Sequence, residues 1–365
     1  KHVLNTMFPT INRESSMLGF GCMRFPTTPD GKIDEIEAIR MIRHAIDNGV
    51  RYIDTAYPYH GGESEIVVGK ALKDGYREKV ILTTKLPVWL VKTHEDMMKF
   101  LDEQLKKLDT TYVDFYILHA MNNERMDAIQ KLDYKRFYAE AIAQGKVRYP
   151  GFSFPDDAKA FLRILHDWDQ WGMCQVQMNI LDDENQATLE GIREAGRRGV
   201  GVVVMEPLRG GLLANPPVDV KAVYDAYAVQ RSPVEWGFRY LYAMPEVITI
   251  LSGMSTWAQV TDNLRIFDMT KRPTLTDEEL ALYQKVKATY LARTKTRCTG
   301  CKYCQPCPMG VQIPRIFQGY DAAMLRADSS FKAGYAQIQA DHADASQCIH
   351  CRKCERACPQ HLPIT

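Results

Sequence analysis

Along the first 270 residues, short apolar runs alternate with segments patterned as helices. The runs read MLGFGCM, RYIDTA, VILTTK, VDFYILH, YPGFSF, CQVQMN, GVVVMEP and VITILSG, and each precedes a stretch of helical period or helix-forming composition. From Asp34 to Asp47, Ile36, Ile39, Ile42 and Ile46 recur on one helical face, and from Glu95 to Leu108, Met98, Leu101, Leu105 and Leu108 do the same. Asn48-Gly49, Asp109 and Gly199 supply helix stops. Strands rich in apolar and β-branched residues, alternating with helices, imply a parallel sheet covered on both faces. Eight such units over about 250 residues predict an α/β fold, a closed (β/α)8 TIM barrel. The rival, an open doubly wound sheet, calls for a glycine-rich phosphate turn after its first strand, and GFGCMR is only a weak version of one.

In such barrels the chemistry sits where strands end. Asp54, Lys85, His119, Ser153, Asn179, Met205 and Gly253 all close their apolar runs, and Tyr59 follows Asp54 in the next loop. Any one of them could simply satisfy backbone groups at a strand end. Together, a tyrosine beside a lysine that is itself held by a buried aspartate makes a phenol into a usable acid, because a nearby cation is expected to lower its pKa. Tyr57, His60 and Glu63 share the loop and receive no role.

Composition changes this picture only at the far end of the chain. Lys and Arg number 46 against 45 Asp and Glu, a net charge of +1 over 365 residues, which offers no global field for nucleic acid or an anionic membrane. No run approaches the roughly 18 apolar residues of a membrane span, and no secretory pattern opens the sequence, so a cytoplasmic protein is expected. Of ten cysteines, Cys22 and Cys174 lie in apolar runs and read as small core residues, while the other eight follow Arg297. The expected domains are therefore a barrel over 1–270, a helical linker over 271–295 and a cysteine-bearing domain over 296–365.

Cys298, Cys301, Cys304 and Cys307 stand three apart and precede Pro308; Cys348, Cys351, Cys354 and Cys358 follow C-x2-C-x2-C-x3-C-P. The second run is the bacterial two-cluster signature, in which the fourth cysteine reaches the other cluster. Zinc would ask for pairs rather than quartets ending in Cys-Pro, and disulfides suit another compartment. Two [4Fe-4S] clusters with crossed ligation are expected: Cys298, Cys301, Cys304 with Cys358, and Cys348, Cys351, Cys354 with Cys307. The spacer shows helical pattern from Ile313 to Leu325 and from Phe331 to His342, so the tail resembles an α-helical ferredoxin more than the strand-rich type.

The barrel segment, over roughly residues 10 to 268, resembles the aldo/keto reductases. IDTAYPY is similar to the family's Asp-Thr-Ala-x-x-Tyr, TTK to its strand-three lysine, DFYILH to its strand-four histidine, and GKVRYPGFS and QVQMN to its fifth and sixth strand signatures. The resemblance implies that Tyr59 is the proton donor, that Lys85 and Asp54 tune it, and that His119 orients a substrate carbonyl. It implies NADP or NAD as cofactor, with Ser153, Gln177 and Asn179 near the nicotinamide and Leu208, Gly210 and Gly211 in the loop that passes the pyrophosphate. Ser255, Asp262 and Asn263 fall in the adenine segment, where Gly253 and Gln259 replace the basic pair common in NADP-dependent members. Met205 stands where most members place a ring against the nicotinamide, and Phe154 where an asparagine commonly follows the serine. Modest discrimination between the two nucleotides is the consequence.

The function these features imply is reduction of a small carbonyl substrate in the barrel, with electron transfer through the tail to a ferredoxin or other redox partner. Clusters move single electrons whereas hydride is a pair, and no motif for a flavin bridges them. An electron-transfer protein whose barrel binds flavin, or a nucleotide-sensing module with little turnover, is the alternative.

Overall fold

The computed structural model describes residues 2–154, 157–184 and 187–365. They form two compact units, one running to Gly210 and resuming over Glu235–Leu275, the other made of Gly211–Val234 and Thr276–Thr365. The helix Asp277–Ala292, which the sequence reading assigns to a linker, groups with the second unit.

Every one of the eight apolar runs is a strand of the first unit. After an antiparallel hairpin of β1 (Asn5–Phe8) and β2 (Arg13–Ser16) come β3 (Leu18–Gly21), β4 (Tyr52–Asp54), β5 (Ile81–Leu86), β6 (Val113–Leu118), β7 (Val147–Phe154), β8 (Met173–Gln177), β9 (Gly201–Met205) and β10 (Val247–Ser252). The last eight pair in parallel and in chain order, and β10 closes onto β3 through Ile250 opposite Leu18. The interior is filled, not hollow: Tyr52, Ile81, Phe115, Ile117, Met173, Val203, Ile248 and Leu251 form one buried cluster. Phe8 joins it from the hairpin, its ring 5.0 Å from that of Phe115. Only a glycine at 201 leaves room for Phe8, since a Cβ there would lie 2.3 Å from its ring.

Two helices correct the faces expected of them. In Glu35–Asp47 the buried side is Ala38, Met41, Ile42, Ala45 and Ile46, while Ile36 is 84% exposed. In His94–Leu108 it is Met97, not Met98, that joins Leu101, Leu105 and Leu108 in the core. Both begin at side-chain caps, Asp34 and the Thr93–Asp96 capping box, and Asp109 ends the second in the left-handed region at φ 51°.

The second unit is helical, with Val218–Asp225, Asp277–Ala292, Ile313–Arg326, Phe331–Ala340 and the short Lys353–Ala357. Arg293 ties the first two together through Asp219 at 2.9 Å and reaches the Met324 carbonyl at 2.8 Å. Asp321, buried on Ile313–Arg326, accepts from the amides of Lys295, Thr296 and Arg297 at 2.7 to 3.0 Å, and so fixes the chain entering Cys298. No described helix is long and apolar enough to cross a membrane.

A candidate active site and two cysteine-lined cavities

Parallel pairing sets Asp54 opposite Thr83, and Lys85, two residues further along β5, shares the barrel-facing side. Its ammonium, with no solvent exposure, donates to Asp54 Oδ1 and Oδ2 at 2.9 and 2.8 Å, to the Thr55 carbonyl at 2.7 Å and to the Tyr59 hydroxyl at 3.2 Å. The His119 ring stands edge-on to Tyr59 with centroids 6.1 Å apart. All four residues predicted to act together are thus brought together. Behind them the Gln104 amide donates to the Lys85 carbonyl at 2.8 Å and to Glu65 at 3.0 Å, and Glu65 pairs with Lys107 at 2.8 Å. This buried lattice holds the end of β5 in place.

Burial, not the lysine, dominates the phenol. It pushes Tyr59 above its ordinary pKa, Lys85 pulls the other way, and Asp54 adds to the rise, so the lowering expected from the sequence is outweighed and the hydroxyl keeps its proton. Burial likewise raises Asp54 against the pull of Lys85. At Lys85 burial works against the charge, but Asp54 and Tyr59 overcome it and hold the ammonium above its ordinary value. His119 is driven down to about 3 by burial, with Lys85 and Arg125 adding to the effect, so its imidazole is neutral. Its Nδ1 is buried without a hydrogen-bond partner.

Trp89, missed in the sequence, packs its ring 5.2 Å from His119 while remaining 40% exposed, and the Arg125 guanidinium lies over the Trp89 ring, 5.1 Å from its centroid. It forms an apolar rim beside the tetrad; the only sequence signal is the PVWL stretch after Lys85. Gln175 was also missed. It faces Ser153 across the β7–β8 pair, and its buried Oε1 has no partner.

The predicted nucleotide residues divide into those left open and those already engaged. Ser153 is buried at the end of β7; the side chain of Phe154 lies outside the described residues. Met205 packs against the barrel core, its sulfur 3.7 Å from the Gln175 amide. Gln177 and Asn179 both donate to Asp182, at 3.0 and 2.9 Å, which fixes their orientation. Leu208 packs over Gly237, Gly210 has φ 65°, and Gly211, with φ 91°, opens the second unit. Gly253 is exposed, and the Ser255 hydroxyl donates to the Arg24 carbonyl at 2.6 Å. Gln259 serves as the capping-box residue of helix Trp257–Ile266, its Oε1 accepting from Ser255 and Thr256. Asp262 pairs with Arg265 at 2.9 Å, and buried Asn263 donates to Ser252 at 2.9 Å. The unpartnered buried Gln175 Oε1 and His119 Nδ1 are acceptor and ring nitrogen that a nicotinamide and its substrate would meet, so the barrel residues fit such a cofactor.

In the second unit the two cysteine runs repeat one backbone shape. Gly300 and His350, two residues into each run, have φ 73° and 56°, and Lys302 and Arg352, two further on, have φ 65° and 57°. The Gly300 amide donates to Cys298 Sγ and the His350 amide to Cys348 Sγ, both at 3.4 Å. A cavity of ≈ 130 Å³ is lined by Cys304, Cys307, Cys348, Cys351 and Cys354. A narrower one of ≈ 20 Å³ is lined by Cys298, Cys301, Cys304 and Cys358. Among the described residues no three Cys, His, Asp or Glu side chains converge as they would on a single ion. Thiols set around cavities in this way suit a cubane, whose four irons each take one thiolate, and the donor set fits.

Residues 17–288 match the model of the aldo/keto reductase family, and residues 297–362 that of the 4Fe-4S dicluster domain. Probable aldo-keto reductase 1 of Glycine max is 27% identical over 219 residues, which span 56% of this chain and 59% of that protein. Uncharacterized oxidoreductase YqkF of Bacillus subtilis is 25% identical over 307 residues, 75% of this chain and 94% of that one. Among solved structures, aldo-keto reductase AKR11C1 from Bacillus halodurans superposes with a TM-score of 0.65 at 28% identity, covering 78% of this chain and 96% of its own. The chain therefore belongs to the aldo/keto reductase family of oxidoreductases and carries a C-terminal 4Fe-4S dicluster domain.

Proposed function

We propose that the barrel reduces a small aldehyde or ketone to an alcohol with NADPH or NADH, and that the C-terminal domain carries electrons through two [4Fe-4S] clusters. The observation that carries the first half is the Lys85 ammonium bridging Asp54 and the Tyr59 hydroxyl, with a neutral His119 beside them. When bound, a reduced nicotinamide supplies the hydride. Tyr59 donates its proton to the oxygen on which charge develops, and Lys85 stabilises the phenolate left behind. His119, neutral, orients the carbonyl by a hydrogen bond without competing for the proton. Trp89, its ring 5.2 Å from His119, borders the site where the carbonyl substrate would lie.

For the tail, crossed ligation, each cluster taking three thiolates from one run and one from the other, is supported by Cys358 lining one cavity with Cys298, Cys301 and Cys304, and Cys307 lining the other with Cys348, Cys351 and Cys354, Cys304 lining both. When bound, the clusters transfer single electrons. A small ferredoxin or other one-electron carrier is the partner class this chemistry admits.

Tyr59→Phe tests the barrel. The lost hydroxyl acts on the transition state, so turnover of a carbonyl panel should fall by at least about a hundredfold while nucleotide affinity stays within about twofold. Undiminished turnover in that variant removes the mechanism.

A further inference from the structure

We infer that the carbonyl substrate of the barrel is an oxo acid of short chain, and that Arg125 binds its carboxylate while the carbonyl lies against Tyr59 and His119. The inference rests on the carbonyl-reducing reading above. Two strand-end loops build the place. β5, which ends just past Lys85, leads into Trp89, and β6 leads through His119 into a turn at Ala120 and the helix Asn123–Lys131. Ala120 is left-handed at φ 53°, the Met121 amide donates to the Ser153 carbonyl at 2.8 Å, and Asn122 Oδ1 accepts from the Arg125 amide at 2.8 Å. Held in this way, Arg125 turns back toward the barrel. Its Nη1 donates to the Ala120 carbonyl at 2.6 Å and its guanidinium lies over the Trp89 ring. Trp89 packs against His119, so the cation stands one ring away from the imidazole.

The charges around the tetrad leave this cation without a counterion. Lys85 is balanced by Asp54 at 2.8 Å, His119 is neutral and Tyr59 keeps its proton, so the tetrad as a whole is uncharged. Nearby, Arg163 is paired with Asp127 and Arg209 with Asp182. Among the described residues no carboxylate comes within ion-pair distance of Arg125. The residue is half-buried, which strips part of its hydration without returning a partner. A neutral substrate would leave that deficit standing, and an anionic one removes it. One face of the guanidinium is taken by the Trp89 ring and one N–H by Ala120, whereas Nε and Nη2 are engaged by no described group. Edge donors of this kind take a carboxylate in two parallel hydrogen bonds. The Trp89 ring lies between the guanidinium and His119, so an apolar segment of the substrate suits the space between its carboxylate and its carbonyl.

The test compares kcat/KM for 4-oxobutanoate and 5-oxopentanoate with that for their methyl esters, using each reduced nucleotide and the anaerobically purified full chain, in the wild type, Arg125→Met and Arg125→Lys. The ester keeps the chain and the carbonyl and removes the charge. An arginine that only propped Trp89 would, when replaced, slow both members of a pair and leave their ratio where it was. The wild type should prefer the acid by roughly tenfold to a hundredfold, and the preference should shrink as salt rises. Arg125→Met should bring the ratio to about one, and Arg125→Lys, which keeps the charge but loses the two-point geometry, should restore part of it. A wild type without preference, or a ratio unchanged in Arg125→Met, would overturn the assignment. If no aldehyde of the set is reduced, calorimetric titration of the same pairs decides. A preference for the acid that vanishes in Arg125→Met then keeps the carboxylate site and removes only the reductase reading; equal binding of acid and ester removes the site as well.

Discussion

Lys85 has no solvent contact, and its charge is tolerated because Asp54, Thr55 and Tyr59 surround it. Replacing Lys85 by methionine leaves the Asp54 carboxylate buried without its cation, which costs about 3–5 kcal/mol, measurable by denaturant unfolding of the barrel; removing both charges in Asp54→Asn with Lys85→Met should cost much less. His119 supplies a pH signature. Its native pKa of about 3 lies below the ordinary 6.5, so between these values the unfolded chain binds a proton that the native imidazole refuses. Its contribution to stability is complete above about 6.5 and is lost as the pH falls toward 3, and the fall should flatten in His119→Asn. For the same reason kcat/KM should show no histidine limb between about pH 5 and 8. An acid limb near 6.5 that disappears in His119→Asn would contradict a neutral imidazole. The tetrad was legible in the sequence because each member ends an apolar run or follows one. Trp89 and Gln175 were not, because their significance lies in what they meet across the barrel, the His119 ring for the one and Ser153 of the neighbouring strand for the other.

At the level of elements, the eight strands were all readable from their apolar runs, and the β1–β2 hairpin was not. NTMF and RESS carry little apolar pattern, and their role depends on one ring, that of Phe8, inserted into the barrel core. Phe8→Ala should cost about 3–5 kcal/mol, read as a lower denaturation midpoint with an unchanged slope. The helix Glu35–Asp47 was legible as an element but not in its facing, since Ile36 lies outside and Ala38 and Met41 inside. At about 100° per residue the four isoleucines spread over an arc of about 120°, with Ile36 at the edge farthest from Ala38 and Met41, so periodicity finds the face without fixing its centre. The helix Ser64–Ala71 meets the end of His94–Leu108 so closely that a Cβ on Gly69 would lie 2.7 Å from the Leu108 carbonyl oxygen. Gly69→Ala should therefore destabilise by about 1–3 kcal/mol despite its better helix propensity, which thermal unfolding would record.

Across the whole molecule, the cysteine distribution announces the second unit, but its extent reaches back to 211–234, a segment with no cysteine and an ordinary composition. That part of the organisation depends on tertiary contacts, such as Arg293 with Asp219, that join residues far apart in the chain. If each cluster staples both runs, Cys358→Ala should lower iron by more than one cluster's share and loosen the tail cooperatively, while the barrel keeps its nucleotide affinity. Iron and acid-labile sulfide in the intact protein should approach about eight of each per chain. Hydride passing from the nicotinamide to carbonyl carbon is followed by supplying NADPH deuterated at the transferable position to the anaerobic protein with an aldehyde panel and examining the products by mass spectrometry. One deuterium is expected on the carbinol carbon with the wild type, and at least about a hundredfold less labelled alcohol with Tyr59→Phe. Consumption of the labelled nucleotide with reduction of the clusters and no deuterated alcohol would contradict it.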